Sequence, residues 1–489
     1  MQRFEELRFD NIYARLPPIF YSRHQPAGLN NQFLIHFNRS VAEMLGIDPV
    51  EAGRQDLVDL VTMNKPVQGF DPVAMCYSGH QFGQYVPRLG DGRAILLGQL
   101  LNDQQARWDL QLKGAGRTLY SRQGDGKAVL RSTIREHLCS AAMHGLGIPT
   151  THSLAMFGSD EEVYREQIET GAMLIRVAPS HIRFGSFEYF FYTQRYEDLK
   201  TLADFTLEHY FPECWKEQDG YLGLLKRVIE STAELIASWQ GVGFCHGVMN
   251  SDNMSIHGIT IDYGPFGFLD AYDTGHVCNH SDYQGRYAFD QQPRIGLFNL
   301  SCLAQAMLPL FNENPESAAE LATAELAKYE EIFEKAWTAQ KRRKLGLVAE
   351  RPEDATLFDQ LLDMMQQSQT DFSLFFRQLS ESNPQACRDN FIQRDRFDDW
   401  SRRYAKRLSQ ESRSETERRA SMQKINPKYV LRNYLAENAI RMAEDEQDYT
   451  EIDRLISLLS SPFDPQPGME HYAQRPPDWA NTLSVSCSS

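Results

Sequence analysis

The chain has 489 residues, 42% of them hydrophobic and 11% aromatic, which is enough apolar surface for a large core spread over about two to four domains or lobes. Its formal charge is −16, from 66 acidic and 50 basic residues, which argues against a general nucleic-acid-binding or anionic-membrane surface but leaves room for a local basic pocket. No run approaches the ~18 apolar residues of a membrane span, and the start, Met1-Gln2-Arg3-Phe4-Glu5-Glu6, lacks the pattern of a signal or transit peptide, so a cytoplasmic protein is expected.

Residues 1–85 hold short apolar pieces broken by turn signals such as Pro17-Pro18 and Pro26-Ala27-Gly28, predicting an irregular or mixed N-terminal extension in which nothing chemical stands out. Residues 94–101 and 108–112 are short, apolar and partly alternating, and Asn102-Asp103 between them predicts an antiparallel hairpin. Lys113 closes its second strand. Leu130, Ile134, Leu138 and Ala141 then recur every three or four residues, predicting an amphipathic helix that ends near Gly145 and Gly147, with Glu136 off the apolar stripe. Residues 172–177 and 187–192 read as further strands. From about residue 200 the pattern turns helical, and Leu225, Val228, Ile229, Thr232, Ile236 and Trp239 share one helix face that Gly241 and Gly243 stop. Residues 254–256 and 259–261 flank His257-Gly258, a tight hairpin expected to bring Asp262 back beside Asn253.

Residues 297–460 are mostly helix-patterned. Their basic run, from Arg402 to Arg419, is interleaved with Glu411, Glu415 and Glu417, as expected of a solvated helix face rather than a nucleic-acid patch. Pro462, Pro465, Pro467, Pro476 and Pro477 mark an extended tail. The eight cysteines include no C-x-x-C pair, so buried thiols are expected rather than a secreted disulfide scaffold. Cys487 in the tail is the exception, exposed if the tail is mobile.

The stretch Cys245-His246-Gly247-Val248-Met249-Asn250-Ser251-Asp252-Asn253, followed by Asp262-Tyr263-Gly264, resembles the protein-kinase catalytic loop H-R-D-x-x-x-x-N and its D-F-G. His246, Asn253 and Asp262 hold their places, but Val248 stands where the catalytic base belongs. A valine cannot accept a proton, so the site reads as one that binds nucleotide and metal without the usual base. Lys113 on a strand and Glu136 on the next helix suit the lysine that neutralises phosphates and the acid that holds it. The order strand-Lys, helix-Glu, loop-Asn, strand-Asp is a rarer coincidence than any one member.

Gly90-Asp91-Gly92-Arg93 reads either as a turn offering backbone N–H groups to phosphate or as a plain hairpin turn, since it lacks the third glycine of G-x-G-x-x-G. Gly124-Asp125-Gly126-Lys127 reads as a loop. Arg176 and Arg183 are placed to clamp a polyphosphate or to form surface salt bridges. Asp252 is the carboxylate nearest the missing base, with a capped turn or an ion pair as the structural alternative. His276, Cys278 and His280 lack a fourth zinc ligand at a familiar spacing.

Gln111-Leu112-Lys113-Gly114-Ala115-Gly116-Arg117-Thr118, residues 243–254, Asp262-Tyr263-Gly264-Pro265-Phe266 and Ser486-Cys487-Ser488-Ser489 together resemble the selenoprotein O family over essentially the whole chain. The resemblance implies an α+β, protein-kinase-like two-lobe fold: an N-terminal extension (1–85), an N-lobe (86–199), a C-lobe core with the catalytic and metal loops (200–300), an additional C-terminal helical region (301–460) and a tail (461–489). It implies a pseudokinase that binds ATP flipped and transfers AMP to Ser, Thr or Tyr hydroxyls of proteins, with UMP transfer from UTP and Mn²⁺ as a variant. A conventional kinase and a non-catalytic nucleotide-binding scaffold are the alternatives.

By the same resemblance, Gly90, Gly92, Arg93, Lys113, Asp125, Gly126, Arg176 and Arg183 hold the nucleotide, with Asp262 contacting it as well. Asn253 and Asp262 bind Mg²⁺ or Mn²⁺, and Asp252 is the proton acceptor. Its place beside a metal ligand leads us to expect a lowered pKa and a weak base. Cys487 stands where eukaryotic relatives carry selenocysteine, and a Cys278–Cys487 disulfide is implied; a tail thiol and a thiol close in sequence to the metal loop lead us to expect that it gates activity.

Overall fold

The computed structural model describes residues 1–216 and 219–486. In chain order the strands are β1 (Tyr21–Arg23), β2 (Phe33–Phe37), β3 (Val73–Met75), β4 (Gly79–Gln81), β5 (Gln84–Val86), β6 (Ala94–Leu101), β7 (Arg107–Lys113), β8 (Ala128–Val129), β9 (His152–Tyr164), β10 (Ile168–Ala178), β11 (Phe244–Cys245) and β12 (Gly267–Phe268). The architecture is mixed α/β. Its main sheet runs β1-β3-β6-β7-β10-β9-β2 with β8 against β10, and β4–β5 and β11–β12 form separate pairs. The expected hairpin is β6–β7, with Ala94 opposite Lys113 and Ile95 opposite Leu112.

Apolar layers cover the sheet on both faces. Leu96, Met156 and Leu174 pack with Ile134 and Leu138 of helix α3 (Leu130–Gly145, following α1, Arg39–Leu45, and α2, Leu57–Val61). On the other face Ile95, Leu97, Leu112 and Ile175 meet Val41 and Leu45 of α1 and Leu57 and Val61 of α2. Two-sided burial explains why these strands read as apolar runs rather than clean alternation. Each fully buried Leu or Ile contributes roughly 1.5–3 kcal/mol. The first 85 residues thus supply three strands of this sheet and one of its covering layers.

Residues 187–192, expected as a strand, lie instead in helix α4 (Phe184–Tyr192). Phe184, Phe187 and Phe190 recur every third residue and are buried. A composition that suits a strand is satisfied on a helix face because the core lies on that side. Helices α5 (Tyr196–Tyr210), α6 (Pro212–Trp215) and α7 (Gly220–Val242) follow. Gly243, at φ 72°, ends α7 in the left-handed conformation that favours glycine; Gly241, expected to share that role, lies inside the helix.

The stretch Phe289–Phe311, which contains α8 (Gln292–Phe311), is long and apolar enough to cross a membrane by length and composition, contrary to the expectation that no run approaches such a span. It packs against α4, α7 and α9 (Pro315–Leu326), with Leu300, Leu303 and Met307 buried, as a core helix does.

Helices α10 (Tyr329–Lys344), α11 (Glu353–Ser368), α12 (Phe372–Glu381), α13 (Arg394–Leu408), α14 (Glu415–Gln423), α15 (Asn433–Asp445) and α16 (Thr450–Ser460) complete the chain's helical part. Phe358, Phe376, Phe397, Trp400 and Tyr404 form a further core there. The basic run expected as a solvated face has a buried member: Arg407 donates to Asp354 at 2.6 Å and to Glu411 at 2.7 Å. Helices α15 and α16 return to pack on α3. The proline-marked tail carries two 3-10 turns, Glu470–Ala473 and Asp478–Thr482.

The expected 254–261 hairpin is a turn closed by a single bridge, Met254 to Thr260. His257 at its tip is half-buried, stacked on Phe211 at 5.5 Å, with Nε2 2.7 Å from Ser180 Oγ. Burial pushes its pKa down to about 4. The unfolded chain takes up this proton near pH 6.5 while the folded protein resists it until about pH 4. The unfolded state therefore binds more protons in that window, and stability falls as pH drops through it, by on the order of 3 kcal/mol. Chemical denaturation at pH 7 and pH 4.5 should show His257→Gln losing less stability than the parent.

Candidate active site

Lys113 at the end of β7 and Arg176 on β10 both turn to Glu136 on α3: Lys113 Nζ bonds Oε2, and Arg176 Nε donates to Oε1 at 2.5 Å. All three are buried. Glu136 is off the apolar stripe, as the sequence indicated, and the helix is buried on that side too. Burial pulls the Lys113 pKa down to about 8, with Glu136 opposing that effect. Burial would raise the Glu136 pKa, but Arg176 and Lys113 outweigh it and keep the carboxyl ionised.

Arg176 and Arg183, 79 residues or more from Asp262 in sequence, converge on its carboxylate, at 2.7 Å to Oδ1 and 2.5 Å to Oδ2. These are partly buried ion pairs rather than surface salt bridges. Arg183 also donates to the Asp252 carbonyl at 2.8 Å, and its guanidinium lies 4.5 Å from the centre of the Tyr77 ring. Burial would raise the Asp262 pKa, yet Arg183, Arg176 and Lys113 together hold it far below the usual carboxylate range. Its backbone sits at φ 56°, a left-handed conformation that a non-glycine residue adopts only when its surroundings fix it.

His246 joins the two loops. The Ile261 carbonyl, 3.0 Å away, can only accept, so Nε2 carries the proton and Nδ1 accepts from Val248 N at 3.4 Å. Asn253 donates from Nδ2 to the Val248 carbonyl at 3.0 Å, which leaves its Oδ1 as a hard acceptor in the cleft that Asp262 also lines. Oxygen donors of this kind suit Mg²⁺ or Mn²⁺ rather than a softer metal. Asp252 departs from expectation: burial raises its pKa to about 7, against the opposing effects of Gln81 and Arg183.

Lys113, Arg176, Arg183, Asp252, Asn253 and Asp262 line a cleft of about 480 Å³ that also takes in Gly90, Gly92, Arg93, Asp125, Gly126 and Val248. In the glycine turn two N–H groups are already used, Asp91 N by the Met75 carbonyl and Gly92 N by Gly90 O, so the turn leaves room and carries Arg93 rather than forming an open anion nest. The Asp125 carboxylate is held by Arg165 at 2.8 and 3.0 Å. Arg122, Arg165, Tyr77 and Gln81 line the cleft as well and had no signal in the sequence: the arginines sit in turns, and the other two fall in the stretch that looked chemically silent. That stretch corrects the reading of residues 1–85, since Tyr77 and Gln81 reach the site from it. Cys278 is buried, its thiol 3.5 Å from the Cys245 carbonyl. Cys487 lies outside the described residues, while the nearby Val485 carbonyl accepts from His280 N at 2.9 Å.

Fixed positive charge held deep in the protein, beside hard oxygen donors, suits a polyphosphate and a divalent cation, and so defines the class as a phosphate-handling site. The family model described as protein adenylyltransferase SelO matches residues 3–460, and the chain belongs to this family. It is 52% identical to the protein nucleotidyltransferase YdiU of Thioalkalivibrio sulfidiphilus over 493 aligned positions that cover 100% of both chains. It is 50% identical to the protein of the same name from Myxococcus xanthus and 49% to that of Thiobacillus denitrificans, again over 100% of each chain.

Proposed function

We propose that this chain is a kinase-like, two-lobed protein nucleotidyltransferase that moves AMP from ATP to Ser, Thr or Tyr hydroxyls of acceptor proteins and releases pyrophosphate; UMP from UTP with Mn²⁺ is the variant of the same reaction. In this reading residues 1–85 extend the sheet of a first lobe at 86–199. Residues 200–300 form the second lobe, residues 301–460 an added helical region and 461–489 a tail. The observation that carries it is the convergence of Lys113, Arg176 and Arg183 on one cleft whose kinase-base position is Val248 and which also takes in Asp252.

With the nucleotide flipped, the acceptor oxygen bonds the α-phosphorus as the bond to pyrophosphate breaks, and the hydroxyl proton passes to Asp252. A carboxylate with a pKa near 7 is matched to that task close to neutral pH. Lys113, Arg176 and Arg183 neutralise the departing pyrophosphate in a site partly shielded from water, where fixed charges act most strongly. Gly90, Gly92, Arg93, Asp125 and Gly126 shape the nucleotide's berth. Bound by Asn253 and Asp262, Mg²⁺ or Mn²⁺ would supply Lewis-acid stabilisation of the phosphates. A Cys278–Cys487 disulfide that gates activity belongs to the same reading, supported by the docking of Val485 beside His280.

Parallel labelling of the reduced protein and a cell extract with α- and γ-labelled ATP tests the reaction. Label retained only from the α-phosphate is expected. Label retained only from the γ-phosphate restores a conventional kinase, and none from either restores a scaffold.

A further inference from the structure

We propose that Gln81, at the end of β4, is a positioning residue for this transfer: its side-chain amide holds the Asp252 carboxylate in the orientation that receives the acceptor's proton. The inference deepens the nucleotidyltransferase reading and rests on it.

Gln81 lines the cleft and donates from Nε2 to Asp252 Oδ2 at 3.1 Å. The short hairpin that carries it is tied to the elements around it. His80 N donates to Ser251 Oγ at 2.6 Å, and Phe82 N donates to Asn250 Oδ1 at 3.2 Å and to the Tyr287 hydroxyl at 2.9 Å. Just before the hairpin, Ser78 N donates to the Gly185 carbonyl at 3.0 Å. The His80 ring lies 2.5 Å from the carboxylate of Glu188, a wholly buried residue of α4. These ties fix the backbone from which the Gln81 amide reaches Asp252, and a fixed origin is what holding a reacting group requires.

The approach is close. A Cβ on Gly79 would lie 2.6 Å from Asp252 Oδ1, so only glycine lets the hairpin sit here. That oxygen is buried without a hydrogen-bond partner, which leaves Gln81 to fix the plane of the carboxyl group through Oδ2. The contrast with Asp262 is one of charge. Two guanidiniums grip that carboxylate, whereas the Asp252 carboxylate is oriented by a neutral amide. In the transfer the acceptor oxygen bonds the α-phosphorus, the bond to pyrophosphate breaks and its electrons leave with pyrophosphate. The proton goes to the oriented Asp252.

The test compares the parent with Gln81→Met, which keeps the volume but removes the donor, and Gln81→Ala. The measurements are single-turnover and steady-state transfer of α-label, nucleotide affinity and melting temperature. Both variants should lose about 10- to 100-fold in kcat, with nucleotide affinity and melting temperature at the parent's values. If Gln81→Met keeps the parent's kcat, or if the loss falls on nucleotide affinity instead, the assignment is overturned and Gln81 is a packing residue. A parent that transfers no nucleotidyl group overturns the transferase reading together with this assignment.

Discussion

Replacing Asp262 with alanine is expected to lower nucleotidyl transfer by at least about 10³-fold, because the change removes the proposed metal ligand and the acidic partner that sets the two arginines in place. The same change carries a second signature. Arg176 and Arg183 are almost fully buried and share Asp262 as a counter-charge. Without it Arg183 keeps the His181 and Asp252 carbonyls and the Tyr77 ring but no carboxylate in contact among the described residues, while Arg176 keeps Glu136. Leaving a buried charge uncompensated costs about 3 kcal/mol or more. Thermal melts of the nucleotide-free variant should therefore fall below the parent's, and added ATP should recover part of the difference by returning negative charge to the arginines. Labelling with α-labelled ATP and a pair of melts with and without ATP check both halves; undiminished labelling would remove Asp262 from the chemistry.

Lys113→Met is expected to separate activity from stability in the opposite way. Transfer should fall by about 10²-fold or more as the pyrophosphate loses a buried cation. Folding should change little. Burial already opposes the charged lysine, pulling its pKa to about 8, and Glu136 retains Arg176 at 2.5 Å after the lysine is gone. An apolar side chain of similar length removes the lysine's desolvation cost, and Glu136, still paired with Arg176, is not left as an uncompensated buried charge. Denaturation curves and transfer rates of the purified variant check this. A large loss of stability would show that the Lys113–Glu136 pair holds α3 in place instead.

Much of the site was legible in the sequence because its parts are local. Lys113 at a strand end, Glu136 on the next helix, and Asn253 and Asp262 at kinase-like spacing are patterns of residue type and periodicity, and the family motifs are long enough to be recognised in one chain. What failed was long-range. Residues 187–192 have a strand's composition yet form a helix, because the core they serve lies on one helical face. The silent stretch around Gly79 and Gln81 enters the site only because the hairpin packs on the catalytic loop some 170 residues away. Asp252 was expected to be acidified by its neighbours, and burial raised its pKa instead.

The sequence by itself determined the β6–β7 hairpin, the α3 and α7 helices, the residue types of the cleft and the family, since periodicity, turn chemistry and motif spacing are properties of neighbours along the chain. Only the tertiary structure decided which charges meet, which carboxylate is gripped by arginines and which by an amide, and how far water is excluded from each. Those depend on distances and burial set by residues remote in sequence, and electrostatic energies follow them rather than the order of the chain.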